Sequence, residues 1–219
     1  MDTTEELFDL VARTRPVILD ILNNQGYDTT PYDNQSPADI TKLATGGPNL
    51  LRIRLYAKDE NAPTKRAQVF YWVFEKVRLS LERRVDELWN TAEFGDNAAN
   101  VDTDEAIVVL NEPMHEAFHL MAIKHWQLHK RRIVFYSIKQ LILNPANHIL
   151  QPKFRKIPAS EESELLATLR LKQKKNLPLI KFHVDIMTRV LGLVPDNIIE
   201  IVRPSPTTGD YTMYRICSI

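Results

Sequence analysis

Residues 105–138 read EAIVVLNEPMHEAFHLMAIKHWQLHKRRIVFYSI. Glu105 to Leu110 is a short apolar run and reads as a buried strand. Pro113 opens a stretch with helical spacing that should run to about His129. Arg131 to Ile138 is dense in β-branched and aromatic residues, with Ile133, Phe135 and Ser137 alternating against Val134, Tyr136 and Ile138, and reads as a second strand. Strand, helix and strand in succession indicate an α/β layer.

Upstream the same alternation of element types continues. Leu79 to Thr91 carries Leu81, Val85, Leu88 and Trp89 on one helical face and Glu82, Arg83, Asp86 and Glu87 on the other. Gln68 to Phe74 is aromatic and β-branched, hence strand. Asn49 to Lys58 sets Leu51, Ile53 and Leu55 against Arg52 and Arg54, the pattern of a half-buried strand. Before these lie a short helix capped at Ser36-Pro37-Ala38-Asp39 and a longer helix over 5–23, which Pro16 should kink or split. Phe94 to Asp104 reads as polar loop.

Downstream, Asn144-Pro145-Ala146-Asn147 reads as a domain boundary, giving domains 1–145 and 146–219. His148 to Phe154 reads as extended, and Ser160 as the cap of a helix carrying Leu165, Leu166, Leu169 and Leu171. Lys172 to Asn176 is a basic loop, and Val184 to Leu193 a short helix ended by Gly192. Asn197 to Val202 and Tyr211 to Ile216 read as strands joined by a turn-rich link over Pro204 to Asp210. The fold class is α+β with two domains: N-terminal helices plus a mixed four-stranded α/β domain, then a small C-terminal α/β domain.

Lys plus Arg number 28 and Asp plus Glu 28, so the formal charge is zero. A chain that holds nucleic acid by itself shows a basic excess, and this one has none. A polybasic membrane face is disfavoured for the same reason. The acidic start, Met1 to Glu6, lacks the regions of a signal peptide. The lone cysteine, Cys217, excludes an internal disulfide, suits a reducing compartment, and reads as a small buried side chain. Only 6 glycines are present, so a glycine-rich phosphate cradle is not expected.

His115-Glu116-Ala117-Phe118-His119 fits the H-E-x-x-H pattern, in which two histidines one turn apart share zinc and the glutamate activates water. His125 stands where an extended version places a third ligand. Ala122 holds the position where that version needs glycine, so the helix continues. His125 then lies about 240° around it from His119, pointing away. The alternative reading is a helix packed by Met114, Phe118, Met121 and Leu128, with His115 and His119 beside that stripe.

The last seventy or so residues resemble a known family, the shared fifth subunit of eukaryotic nuclear RNA polymerases, which has an archaeal counterpart without the first domain. The residues that carry the resemblance are His148-Ile149-Leu150-Gln151-Pro152-Lys153, Glu164-Leu165-Leu166, Arg170-Leu171-Lys172, Leu177-Pro178, Asp185 and Gly192-Leu193. Ile201-Val202-Arg203-Pro204-Ser205, Thr207, Gly209, Tyr211 and Tyr214-Arg215-Ile216 follow in the family's order. The first domain fits more loosely, through the helix ending in Gly26-Tyr27 and the order of its elements. Phe154, Ile186, Asp196, Pro206 and Asp210 depart from the family pattern and mark a divergent paralogue.

The resemblance implies a subunit that is not catalytic and needs no cofactor or metal. It implies a C-terminal assembly domain docked on the largest polymerase subunit, other polymerase subunits as partners, and an N-terminal jaw domain with downstream DNA as a candidate contact. Neither a membrane nor a homo-oligomer is implied. The location is the nucleus, the nucleolus for a polymerase I subunit, or virion or host cytoplasm for a virus-encoded copy. Docking candidates are Leu177 and Pro178, non-helical before the proline, together with Arg203, Ser205, Thr207, Gly209, Tyr211, Tyr214 and Arg215. Two alternatives stand beside this: a zinc peptidase using His115 and His119, and a free-standing transcription adaptor.

Overall fold

A computed structural model describes residues 4–59, 65–89, 99, 104–205, 207 and 209–219. The loop read over Phe94 to Asp104 lies outside these residues apart from Ala99 and Asp104, and Pro206 lies outside them too. The fold is α+β, and the chain divides into two units, Met1–Asn144 and Pro145–Ile219.

The first unit begins with α1 (Thr4–Asn24) and α2 (Pro37–Thr45). Pro16 sits inside α1 without dividing it. Ser36 caps α2: its hydroxyl accepts from the Asp39 N–H, and the Asp39 carboxylate accepts from the Ser36 N–H, satisfying two helix-end donors at once. Four strands follow: β1 (Ile53–Tyr56), β2 (Arg66–Trp72), β3 (Asp104–Leu110) and β4 (Ile133–Ser137). Their order in the sheet is β1-β2-β3-β4, with β1 antiparallel to β2 and the others parallel. The parallel pairs require crossovers, of which α3 (Leu81–Leu88) and α4 (Glu116–His129) are the described helices.

Both crossover helices pack on one sheet face. Leu81, Val85 and Leu88 of α3 and Phe118 and Ala122 of α4 meet Phe70, Val108 and Phe135 of the strands. The Phe118 and Phe135 rings lie 5.4 Å apart. Burying Phe118 contributes about 1.5–3 kcal/mol. The opposite face carries Leu51 and Tyr71. There Arg15 of α1 donates from Nη1 to the Leu51 carbonyl at 2.6 Å, with its guanidinium 5.9 Å from the Tyr71 ring.

Several boundaries differ from the sequence reading. The α4 helix starts at Glu116, not Pro113, because His115 holds an extended backbone (φ −110°, ψ 157°). Leu128 is 65 % exposed, while His125 is buried. The core stripe of α4 therefore runs through Phe118, Ala122 and His125, spaced i, i+4, i+7.

The second unit contains β5 (Lys153–Lys156), α5 (Ala159–Thr168), β6 (Leu179–Lys181), α6 (Ile186–Val190), β7 (Ile198–Ser205) and β8 (Gly209–Ser218). Its sheet order is β5-β7-β8-β6. The β7 strand is antiparallel to β5 and β8, and β6 is parallel to β8. One face forms a core of Ile157, Leu177, Ile198 and Ile216, covered by Leu165, Leu169 and Leu171. Pro158, not Ser160, occupies the N-cap of α5. The stretch from His148 begins as a turn, and β5 starts only at Lys153. Asp185 caps α6 through the Met187 N–H at 2.8 Å. Asp196 holds φ 75°, a left-handed backbone that aspartate tolerates better than most residues.

Candidate partner-docking surface

The candidate residues gather on the β7–β8 hairpin. The link read over Pro204 to Asp210 is mostly strand: Pro204 pairs with Asp210 and Ser205 with Gly209. Gly209 has φ 74° with open space where a Cβ would stand, so the backbone conformation and not crowding calls for glycine. Ser205 and Thr207 hydroxyls lie 3.3 Å apart at the tip. Arg203 and Tyr211 are cross-strand partners, both exposed. Arg203, Ser205, Thr207, Gly209 and Tyr211 therefore form one cluster at the hairpin end.

The remaining candidates lie elsewhere. Tyr214 donates from its hydroxyl to Glu200 Oε1 at 3.0 Å. Glu200 in turn accepts from Arg155 Nε at 2.8 Å, and Arg155 Nη1 reaches Glu161 at 2.9 Å. The Arg155 hydrogen bond, followed by that of Tyr214, holds the Glu200 carboxyl below its ordinary range despite burial. Burial, then the Glu200 carboxylate, raises Tyr214. Arg215 Nη1 donates to the Leu179 carbonyl at 3.0 Å and ties β8 to β6. Leu177 packs in the core, so its side chain faces inward, while Pro178 is exposed and its carbonyl accepts the Ile216 N–H at 2.9 Å.

That last bond defines an open edge. The Ile216 N–H points to β6, and the next N–H, Cys217, points to Asn197 at 2.8 Å. Backbone groups alternate along a strand. Thr212 and Asp210 therefore turn their N–H groups away from β7, while Tyr211 and Met213 turn theirs toward it. Pro204, which has no N–H to give, sits opposite Asp210 at a position that makes no bond to β8. The β6 strand pairs only with Ile216–Ser218. Among the described residues, no strand covers β8 from Gly209 to Tyr214.

Two residues escape the sequence reading. Ile149 is 94 % exposed and Leu150 83 % exposed, side by side in the turn before β5. Their apolar type reads as strand; the only signal against it is their place between Pro145 and Pro152. Of the basic loop, Lys174 bonds Glu162 at 3.3 Å and the Asp196 carbonyl at 3.1 Å, pinning the loop to its own unit.

The H-E-x-x-H residues do not share a helical face. His115 lies outside α4, with its Nε2 3.2 Å from Arg78 Nη1, and His119 is the fourth residue of the helix. His125 is buried, lowered in pKa by burial and by His129. Two histidines converge on one ion when both sit on a regular helix at i and i+4, which the extended backbone of His115 prevents.

Residues 143–217 match the family described as RNA polymerase Rpb5, C-terminal domain. Over 208 residues the chain is 26 % identical to "DNA-directed RNA polymerases I, II, and III subunit rpabc1" of Dictyostelium discoideum, covering 94 % of this chain and 96 % of that protein. A Caenorhabditis briggsae protein of the same description is 38 % identical over 77 residues, 35 % of this chain and 36 % of its own length. "DNA-directed RNA polymerase V subunit 5A" of Arabidopsis thaliana is 22 % identical over 198 residues, 90 % of this chain and 83 % of that protein. The family match thus falls almost wholly on the C-terminal unit, and over most of its length the chain is similar to proteins described as subunits of DNA-directed RNA polymerases.

Proposed function

We propose that the chain is a non-catalytic structural subunit of a nuclear DNA-directed RNA polymerase. Its C-terminal unit docks on the largest subunit, with other polymerase subunits as neighbours, and its N-terminal unit is a jaw near downstream DNA. The observation that carries the docking reading is the open edge of β8. An extended segment of the largest subunit adds to it as a further strand, with main-chain hydrogen bonds for affinity. Arg203 and Tyr211 at the tip, residue types enriched at interfaces, anchor that segment. Ile149 and Leu150 supply a second, apolar contact, since a nearly bare aliphatic pair gains most from being covered.

The zero formal charge fits this role. A subunit held in a large assembly needs little charge of its own, because the assembly keeps DNA at high effective concentration. Affinity purification of the tagged chain with mass spectrometry tests the reading. Very large polymerase subunits are expected at stoichiometric amounts. Isolation of the chain as a lone monomer overturns it, and a small soluble partner set in size-exclusion of the lysate favours the free-standing adaptor instead.

A further inference from the structure

On the sheet face covered by α3 and α4, the β1 side presents Arg52 and Arg54, with Gln68 of β2 paired to Arg54, where Phe70 of β2, Val108 of β3 and Phe135 of β4 are apolar. The crossover helices find nothing apolar to close on there, and a cavity of about 220 Å³ remains beside α3. Phe70, Trp72, Val77 and Leu88 wall it, and exposed Asn49 and Phe74 stand at its rim.

Asn49, Arg52, Arg84, Glu75 and Glu87 are polar side chains of the lining; the two carboxylates are engaged by Arg84, while Arg52 bonds only a neutral amide. The Arg52 guanidinium lies 4.4 Å from the centre of the Phe70 ring, and Nη2 donates to Gln68 Oε1. The Gln68 amide nitrogen donates to Asp104 Oδ2, and Asp104 Oδ1 accepts from Arg66 Nε at 2.7 Å. That chain fixes the Gln68 amide with its oxygen toward Arg52. The Nε of Arg52 is buried without a hydrogen-bond partner. Burial, then the charge of Arg54, pushes Arg52 down to about 10, so it remains a cation at neutral pH. A half-buried cation held by a neutral amide and a ring face gains from an added carboxylate.

We propose that this cavity binds a small aromatic carboxylate, its ring among Phe70, Trp72 and Phe74 and its carboxylate on the Arg52 guanidinium. Volume sets the size: a cavity of about 150 Å³ accepts benzene, so this one admits one ring system with a short acidic arm. A drug-sized molecule needs roughly 300 Å³ or more. The ligand is therefore a free small molecule and not a peptide segment.

Calorimetric titration of the full chain with indole-3-acetate, and with neutral indole-3-acetamide of the same shape, tests this. The acid is expected to bind roughly tenfold more tightly than the amide or better. Arg52→Met is expected to bring the acid to the amide's affinity and leave the amide unchanged. Equal binding of acid and amide, no binding of the acid at millimolar concentration, or acid preference surviving in Arg52→Met each overturns the proposal. The acid–amide comparison uses the native chain, so it decides the matter whether or not the variant folds.

Discussion

Replacing Thr212 by proline is expected to leave the C-terminal unit folded and to release the chain from its polymerase. The Thr212 N–H faces away from β7, so proline removes no bond of the hairpin, and an edge strand tolerates it there. What it removes is a donor on the open edge, and its ring obstructs an incoming strand. Losing one or two main-chain hydrogen bonds, at about 0.5–1.5 kcal/mol each, together with that obstruction, lowers retention roughly tenfold or more. Met213→Pro is the contrasting variant. Its N–H points into the hairpin, so the same residue one step along is expected to unfold β7 and β8. Co-purification with the largest subunit reads the first effect and thermal denaturation the second. Wild-type retention of Thr212→Pro would sink the added-strand reading.

The second large effect lies in the first unit. Arg132, 3 % exposed, donates from Nη1 to Glu105 Oε2 at 2.6 Å, and Lys65 reaches the other oxygen at 3.1 Å. Glu105→Leu withdraws the carboxylate from a buried guanidinium and is expected to cost about 3–5 kcal/mol, measured by urea unfolding. Glu105→Leu combined with Arg132→Met is expected to recover most of that loss, because removing both charges is close to neutral. A single-variant loss under about 1 kcal/mol would show that the pair behaves as a surface contact.

The same cluster makes stability depend on pH. Burial raises Glu105, but the charges of Arg132 and Lys65 outweigh it and hold the carboxyl below its ordinary value of 4.5. Its stabilisation is present above pH 4.5 and is lost as the pH falls below that. Tyr27 is raised above its ordinary 10.0, first by burial and then by the Glu105 charge. Its contribution is present below pH 10.0 and is lost as the pH rises beyond it.

Element types are legible in the sequence where burial leaves a periodic signature. The runs Ala106–Leu110 and Ile133–Ser137 are buried on both faces and stand out as apolar blocks. Element ends are less legible, because they depend on local bonds. Pro113 can start a helix, but the extended backbone of His115 delays it, and Ser160 has the right chemistry for a cap while Pro158 already occupies that place. The hairpin carries two residues, Pro204 and Gly209, that signal turns by type. Strand pairing uses them instead, the proline where no N–H is required and the glycine for its positive φ. The docking candidates follow the same division. Tyr211 and Arg203 are exposed as their types suggest, whereas Leu177 turns inward and the open edge is a property of the backbone that no side chain announces.

Cys217 gives this molecule a built-in clock. It is the only cysteine in 219 residues, and it sits 2 % exposed in β8, between β7 and β6. A thiol reagent reaches it only when those strands part. The rate of labelling under native conditions therefore measures the opening of the C-terminal unit alone, while the first unit, Met1–Asn144, stays silent. A partner strand laid along β8 would slow that clock by the factor with which it stabilises the closed sheet, so the thiol reports assembly as well as folding.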